Sequence, residues 1–386
     1  MKAEWYREII FSPLLYTGAF FIFQKDGLFV NETYPIDFYP ASRIPRRMEI
    51  HFQRLITKGG DMKKLLSLIL AAALLLSCLI LSSCEEKTEG KYVVGICQQM
   101  PHDALDFATE GFMDALKEEL GEDNVEFLVQ NANGDTTICT TIANNFVNKR
   151  VDLMLGNGTT ALQACANSSD TIPVLGTSIT AYEAALSLED FDGLVGYNVS
   201  GTSDIAPLDE QAAMITSFFP KAEKIGLLYC SAEPNSDYQI KKVKEHLEKA
   251  GLNCTEFPFT DSGDVATVAA AAAAASDLIY VPTDNTVASC TEAINNVVLP
   301  TATPIVGGDA GICGGCGVIA LCVDYYKLGQ TTGKMAAAIL KGEQKVDEMK
   351  IYIPEECIKV YNASHCAELG MDIEALKAAG YTALEN

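Results

Sequence analysis

"YVVGICQQMPHDALDFATEGFMDALKEELGEDNVEFLVQ", Tyr92 to Gln130, holds two short apolar runs separated by an amphipathic stretch. Within 104–120, Leu105, Ala108, Phe112, Ala115 and Leu116 recur at three- and four-residue intervals, the period of a helix with one buried face. The flanking runs "YVVGIC" and "VEFLVQ" are strand-like. Strand, helix and strand in that order predict a parallel pair, since parallel neighbours need a crossover that a helix supplies.

The same alternation continues along the chain. "VDLMLG", "IPVLGT" and "GLVGYNV" are further strand candidates, with helices expected at 135–149 and 160–168. A second series follows: "KIGLLYC", helix 236–250, "CTEFPF", helix 263–275, "DLIYVP", helix 286–296, "TPIVGG" and "GVIALCV". Ala269–Ala275 is seven alanines in a row where a helix is due, and alanine has the best helix propensity. Two alternating series in about 300 residues predict an α/β protein with two doubly wound, Rossmann-like lobes, each a parallel sheet covered on both faces.

Upstream of the first strand the character changes. "MKKLLSLILAAALLLSCLILSSCEEKTEG", Met62 to Gly90, has two lysines, an apolar run and small residues before a cysteine, the layout of an export signal. Such signals work at an N-terminus, and Lys58-Gly59-Gly60 can be encoded by codons containing AGGAGG, the purine run bacterial ribosomes use to find a start. Met62 is therefore expected to be the working start, 1–61 upstream sequence read in frame, and 62–83 a signal peptide. "LSSC" resembles the lipobox of bacterial lipoproteins, which makes Cys84 the expected lipidation site, with Cys78 a second candidate. Two acyl chains would anchor the protein stably. An uncleaved helix spanning the membrane is the alternative reading of the same run.

The whole chain carries 28 Lys+Arg and 51 Asp+Glu. Residues 1–83 hold ten and seven of these, leaving 18 basic against 44 acidic residues in 84–386, a net of −26. Phosphate backbones need the opposite sign, so nucleic acid is not an expected partner. Eleven cysteines follow Cys84, mostly single and within apolar patterns, where a thiol behaves as a small hydrophobe. "CGGC", Cys313 to Cys316, has the spacing of a redox pair or half a zinc site, but no second CxxC follows. No metal or cofactor is expected.

Ligands of open parallel sheets bind beyond the C-terminal strand ends. After "VDLMLG" come Gly158, Thr159 and Thr160 at a helix start, and after "IPVLGT" comes Ser178. Helix starts carry free N–H groups and a partial positive charge, suited to a carboxylate, although Thr159 and Ser178 also read as ordinary caps. "GNGTTA" lacks the third glycine of a dinucleotide fingerprint. In the second series Asn235, Asp284 and Asp309 each follow a strand, where turn residues are also commonplace. Together the two rims suit a zwitterion, its carboxylate on the first lobe and its ammonium on the second. Phe107, Tyr182 and Tyr197 could stack on an aromatic ligand but read better as core.

"GICQQMPHDALDFATEGFMDALKEEL", "VQNANGDTT", "GYNVSGTSDIAPLDEQ", "IYVPTDNTV" and "VDYYKLGQTTGKMAAAILKG" resemble successive landmarks of the substrate-binding lipoproteins of ABC transporters whose members bind aromatic amino acids. The resemblance covers nearly all of 91–386. It implies a type I periplasmic-binding-protein fold, with three crossing segments joining a lobe of 91–203 plus 324–350 to one of 204–323 plus 351–386. It further implies no catalysis, ligand contacts at Pro101, His102, Gly158, Thr159, Thr160, Ser178, Asp204, Asn235, Asp284 and Asp309, and delivery to a permease and its ATPase by a membrane-anchored, extracytoplasmic monomer. Thr160 stands where the family has proline, and 310–317 is unusually rich in Gly and Cys. The competing expectation is an extracellular thiol-redox or metal-binding protein using Cys313 and Cys316.

Overall fold

The computed structural model describes Gly90–Leu384, so the readings of 1–61, of 62–83 and of Cys84 lie outside the described residues. The first sheet is all parallel, in the order β2-β1-β3-β4-β5: β1 Tyr92–Gln98, β2 Val125–Asn131, β3 Leu153–Asn157, β4 Val174–Ile179 and β5 Val199–Ser203. Its crossovers are helices α1 (Asp103–Leu120), α2 (Thr136–Lys149), α3 (Thr159–Ser168) and the short α4 (Tyr182–Leu186). β3, β4 and β5 are buried throughout, as strands covered on both faces must be.

Helix α5 (Leu208–Phe218) leads into the second sheet, order β12-β11-β10-β9-β8-β6-β7. It comprises β6 Lys224–Cys230, β7 Asn253–Phe259, β8 Leu278–Val281, β9 Ile305–Gly307, β10 Ile319–Cys322, β11 Ile358–Tyr361 and β12 Thr382–Ala383. Strands β6 to β10 are parallel, β11 is antiparallel to β10, and β12 is parallel to β11. Between them run α6 (Pro234–Lys249), the alanine-rich α7 (Val265–Ala275), α8 (Asn285–Ala288), α9 (Thr291–Val298) and α10 (Ala310–Gly315). Helix α11 (Tyr325–Leu340) returns to the first sheet, and α12 (Ala363–Glu368) and α13 (Ile373–Ala378) close the second lobe. The lobes are joined at 204–207, 323–324 and 341–357. The last of these runs beside β5, where Ser203 N donates to Tyr352 O at 2.8 Å.

Three sequence readings are corrected. "GLVGYNV" is not a strand: Gly193 and Gly196 take φ of 96° and 81°, which extended backbone cannot continue, so β5 begins only at Val199. The helix expected at 286–296 is two helices, interrupted at Ser289 and Cys290. The Gly- and Cys-rich loop at 310–317 contains α10 instead, started by the Asp309 side chain accepting from Ile312 N at 2.8 Å.

Helices α1 and α11 meet backbone to backbone. A methyl at Gly329 would lie 2.1 Å from Ala108 O, and one at Gly111 would lie 2.1 Å from Tyr326 O. Main chain cannot yield as a side-chain tip can. Gly329→Ala is therefore expected to lower stability by about 3 kcal/mol, the upper range for overpacking, read as a lower denaturant midpoint at unchanged slope.

Candidate functional site

In each sheet the strand order reverses beside the first strand of its series, at β1/β3 and at β6/β8, and the segments leaving those strands carry Pro101, His102, Gly158, Thr159, Thr160, Asn235 and Asp284, while Ser178 lies in β4 and Asp204 and Asp309 follow β5 and β9. On the first lobe, β1 ends in two buried glutamines. Gln98 Nε2 donates to Met100 O (3.0 Å) and Asp106 Oδ1 (2.6 Å), while its Oε1 accepts from Thr109 (2.8 Å). Gln99 Oε1 accepts from Thr160 N at 2.8 Å, so one N–H of the α3 start, expected to meet a ligand carboxylate, is held by the protein itself. Proline at 160 would have had no N–H to give. Gly158, at φ 97°, leaves the room Gln99 fills, since a Cβ there would lie 2.8 Å from Gln99 Cβ. Thr159 is buried, Thr160 half-buried and Pro101 exposed.

Ser178 departs from the strand geometry around it. The β4–β5 register shifts between Gly176 and Ile179, and Ser178 takes φ 57°, the left-handed region that costs a non-glycine residue about 1 kcal/mol or more. Its hydroxyl is buried with no protein partner among the described residues. Asp204, on the first crossing, accepts from the Tyr325 hydroxyl at 2.8 Å through Oδ2, whereas its Oδ1 is buried and unpartnered. Burial pushes its carboxyl above the usual range, against the pull of the Tyr325 and Thr180 hydroxyls.

The second rim is organised by a residue the sequence reading passed over. Glu233, at the N-cap of α6, is 6% exposed and accepts five hydrogen bonds, from the backbone N–H groups of Asn285 and Thr286, the Thr286 hydroxyl, and the side-chain amides of Asn285 and Asn235. Glutamate is not a usual N-cap, and its place before Pro234 was the available signal that its carboxylate serves elsewhere. Asn235 Nδ2 also donates to Thr283 O (3.1 Å), leaving its buried Oδ1 unpartnered. Both oxygens of Asp284 serve the fold, accepting from Val287 N (2.9 Å) and Cys230 N (2.7 Å). Burial, then Glu233, pushes Asp284 up to about 7. Asp309 caps α10 and is likewise pushed up to about 7, first by burial and then by neighbouring charges that include Asp204 and Asp103. Among the described residues no lysine or arginine pairs with Asp204, Asp284 or Asp309.

The two rims meet. His102 Nε2 lies 3.2 Å from Asn285 Oδ1, and a methyl at Gly311 would stand 4.0 Å from Asp103 Cβ. Farther along, α6 packs against α4, and the Tyr238 hydroxyl is pushed up first by burial and then by the nearby Glu183 carboxylate. Of the predicted ligand contacts only Thr160 lines the hollow of about 690 Å³ on the face formed by α2, α3 and α4, where Tyr197, one of the three aromatic candidates, lines it too. The aromatic readings divide. Tyr182 is core, its hydroxyl 3.0 Å from Gly176 O. Phe107 and Tyr197 are 52% and 40% exposed, which corrects their assignment to the core.

Cys313 and Cys316 are buried, and burial raises both thiols, so neither is poised as a thiolate. Among the described residues no group of three or more His, Cys, Asp or Glu could hold a metal ion, and no helix is long and apolar enough to cross a membrane.

Residues 93–380 match the family described as ABC transporter substrate binding protein. The chain belongs to that family. It is 33% identical over 323 residues to a tyrosine-binding protein of Clostridioides difficile, spanning 77% of this chain and 92% of that one. The fold is similar to that of an ABC domain from Streptococcus pneumoniae in complex with L-Trp, with a TM-score of 0.73 and 30% identity over 76% of this chain and all of the other. A ligand-free, open substrate-binding protein with adhesive properties from Clostridium difficile gives a TM-score of 0.60 at the same identity and coverage. This is an α/β binding protein of type I periplasmic-binding-protein architecture, not an enzyme.

Proposed function

We propose that this family member is a lipid-anchored receptor on the extracytoplasmic face that captures a zwitterionic amino acid with an aromatic side chain and presents it to an ABC permease. The observation that carries the reading is the carboxylate oxygen of Asp204, buried beside Asp309 with no partner and no cation among the described residues to meet it. An unpaired buried polar atom costs about 1–3 kcal/mol, more if charged, and a ligand ammonium supplies both missing charge and missing donors. Ser178 Oγ and Asn235 Oδ1 lie unpartnered on the two rims and can take further ligand groups. Thr159, Thr160 and Gly158 contribute the α3 start, and Asp284 shapes the rim through α8. The tyrosine-binding and L-Trp-bound relatives support the aromatic class. The lipobox at Cys84 supports the anchor.

Thermal unfolding of the 85–386 chain against all twenty amino acids tests the proposal. Binding to the native state alone raises the midpoint, by about 2.7 kcal/mol at a hundredfold excess over Kd. Tyrosine, tryptophan or phenylalanine should give the largest shifts. No shift with any amino acid would remove the ligand class.

A further inference from the structure

His102 occupies the N-cap of α1, a position whose side chain usually accepts from its own helix. It makes no cap hydrogen bond there. Its ring instead crosses to the other lobe, where Nε2 lies 3.2 Å from Asn285 Oδ1. The direction of that bond is fixed one residue farther back. Asn285 Nδ2 donates to Glu233 Oε2 at 2.7 Å, and Glu233, receiving five donors, acts only as an acceptor. The Asn285 amide therefore turns its NH₂ toward Glu233 and its oxygen toward the first lobe, and His102 Nε2 must carry the proton.

We infer that His102 and Asn285 form a latch between the lobes, with Glu233 as the positioning residue that aims it, and that this latch sets how long a ligand is retained rather than which ligand enters. The inference builds on the reading of the chain as a protein that closes around its ligand. It moves His102 from the ligand contacts to the closing machinery. The latch spans both lobes and so exists only when the rims meet. Its loss should speed dissociation about fivefold, the worth of one ordinary hydrogen bond, and should not slow association, because the ligand-free protein then stands open more often.

The test uses the full chain with His102→Leu, Asn285→Ala, their double variant and His102→Gln, which keeps an N–H donor. Two readouts are taken: the dissociation rate of L-tyrosine, and the radius of gyration of ligand-free protein from small-angle scattering. The single variants should each speed dissociation about fivefold and raise the ligand-free radius, the double variant should do no more than either, and His102→Gln should recover part of both. Unchanged dissociation and radius would overturn the latch, as would a slower association with unchanged dissociation, which would return His102 to the ligand contacts. If L-tyrosine does not bind, the ligand reading falters but the scattering still decides: an unchanged radius in both single variants overturns the latch.

Discussion

Asp204→Asn is expected to weaken binding of an aromatic amino acid about a hundredfold while leaving the ligand-free fold intact. The substitution keeps an oxygen for the Tyr325 hydroxyl, so the contact between the two crossings survives. It replaces a carboxylate oxygen that has no partner among the described residues with a neutral amide whose NH₂ would face an incoming ammonium donor to donor. Truncating one side of a buried charged hydrogen bond costs about 2–5 kcal/mol. Because burial already disfavours the ionised form of Asp204, removing the charge should cost the empty protein nothing near pH 8. Titration calorimetry gives the affinity and thermal unfolding gives the stability. Equal loss of both would mean that Asp204 is structural, and unchanged affinity would remove the ammonium from this position.

The second large effect is on pH. Burial holds Asp309 and Asp284 at about 7 in the folded protein, against an ordinary carboxyl value of 3.8. Between those values the folded state keeps protons that the unfolded chain has lost. The stability so gained is complete below about 3.8 and is lost as pH rises through 7. For Asp309 alone a shift of this size corresponds to about 4 kcal/mol. Half-buried His102, held below its usual value by desolvation, works in the opposite sense as pH falls through 6.5, one group against two. The midpoint of the ligand-free protein should fall from pH 5 to pH 8, and Asp309→Asn should flatten that slope. A ligand ammonium would draw the carboxyls back down, so binding near pH 7 should release protons, seen as binding heats that differ between buffers of different ionisation enthalpy. A midpoint that rises over the same interval would refute the assignment.

The architecture was legible because periodicity reports burial. The helix at 104–120 and the buried parallel strands announce themselves through what they hide. β5 was misplaced because "VSGTS" is buried without being apolar, while the apolar letters before it belong to a loop broken by Gly193 and Gly196. Of the residues expected at the site, Ser178, Asp204 and Asn235 carry buried atoms with no partner among the described residues, each near the end of a strand. Glu233 and Gln99 were not, because their roles depend on partners 52 and 61 residues away. Nothing in local spacing encodes such pairings.

The hydrogen bond between Asp204, on the first of the three threads on which the halves would swing, and Tyr325, the first residue of α11 just past the second, ties those two threads together. A point on a pivot travels least, whatever the angle of opening, so Asp204 would keep its place when the jaws part. Electrostatic capture at the axle could then precede everything at the lips. The charged end of a guest would be moored first, and its ring enclosed only as the outer edges swing in.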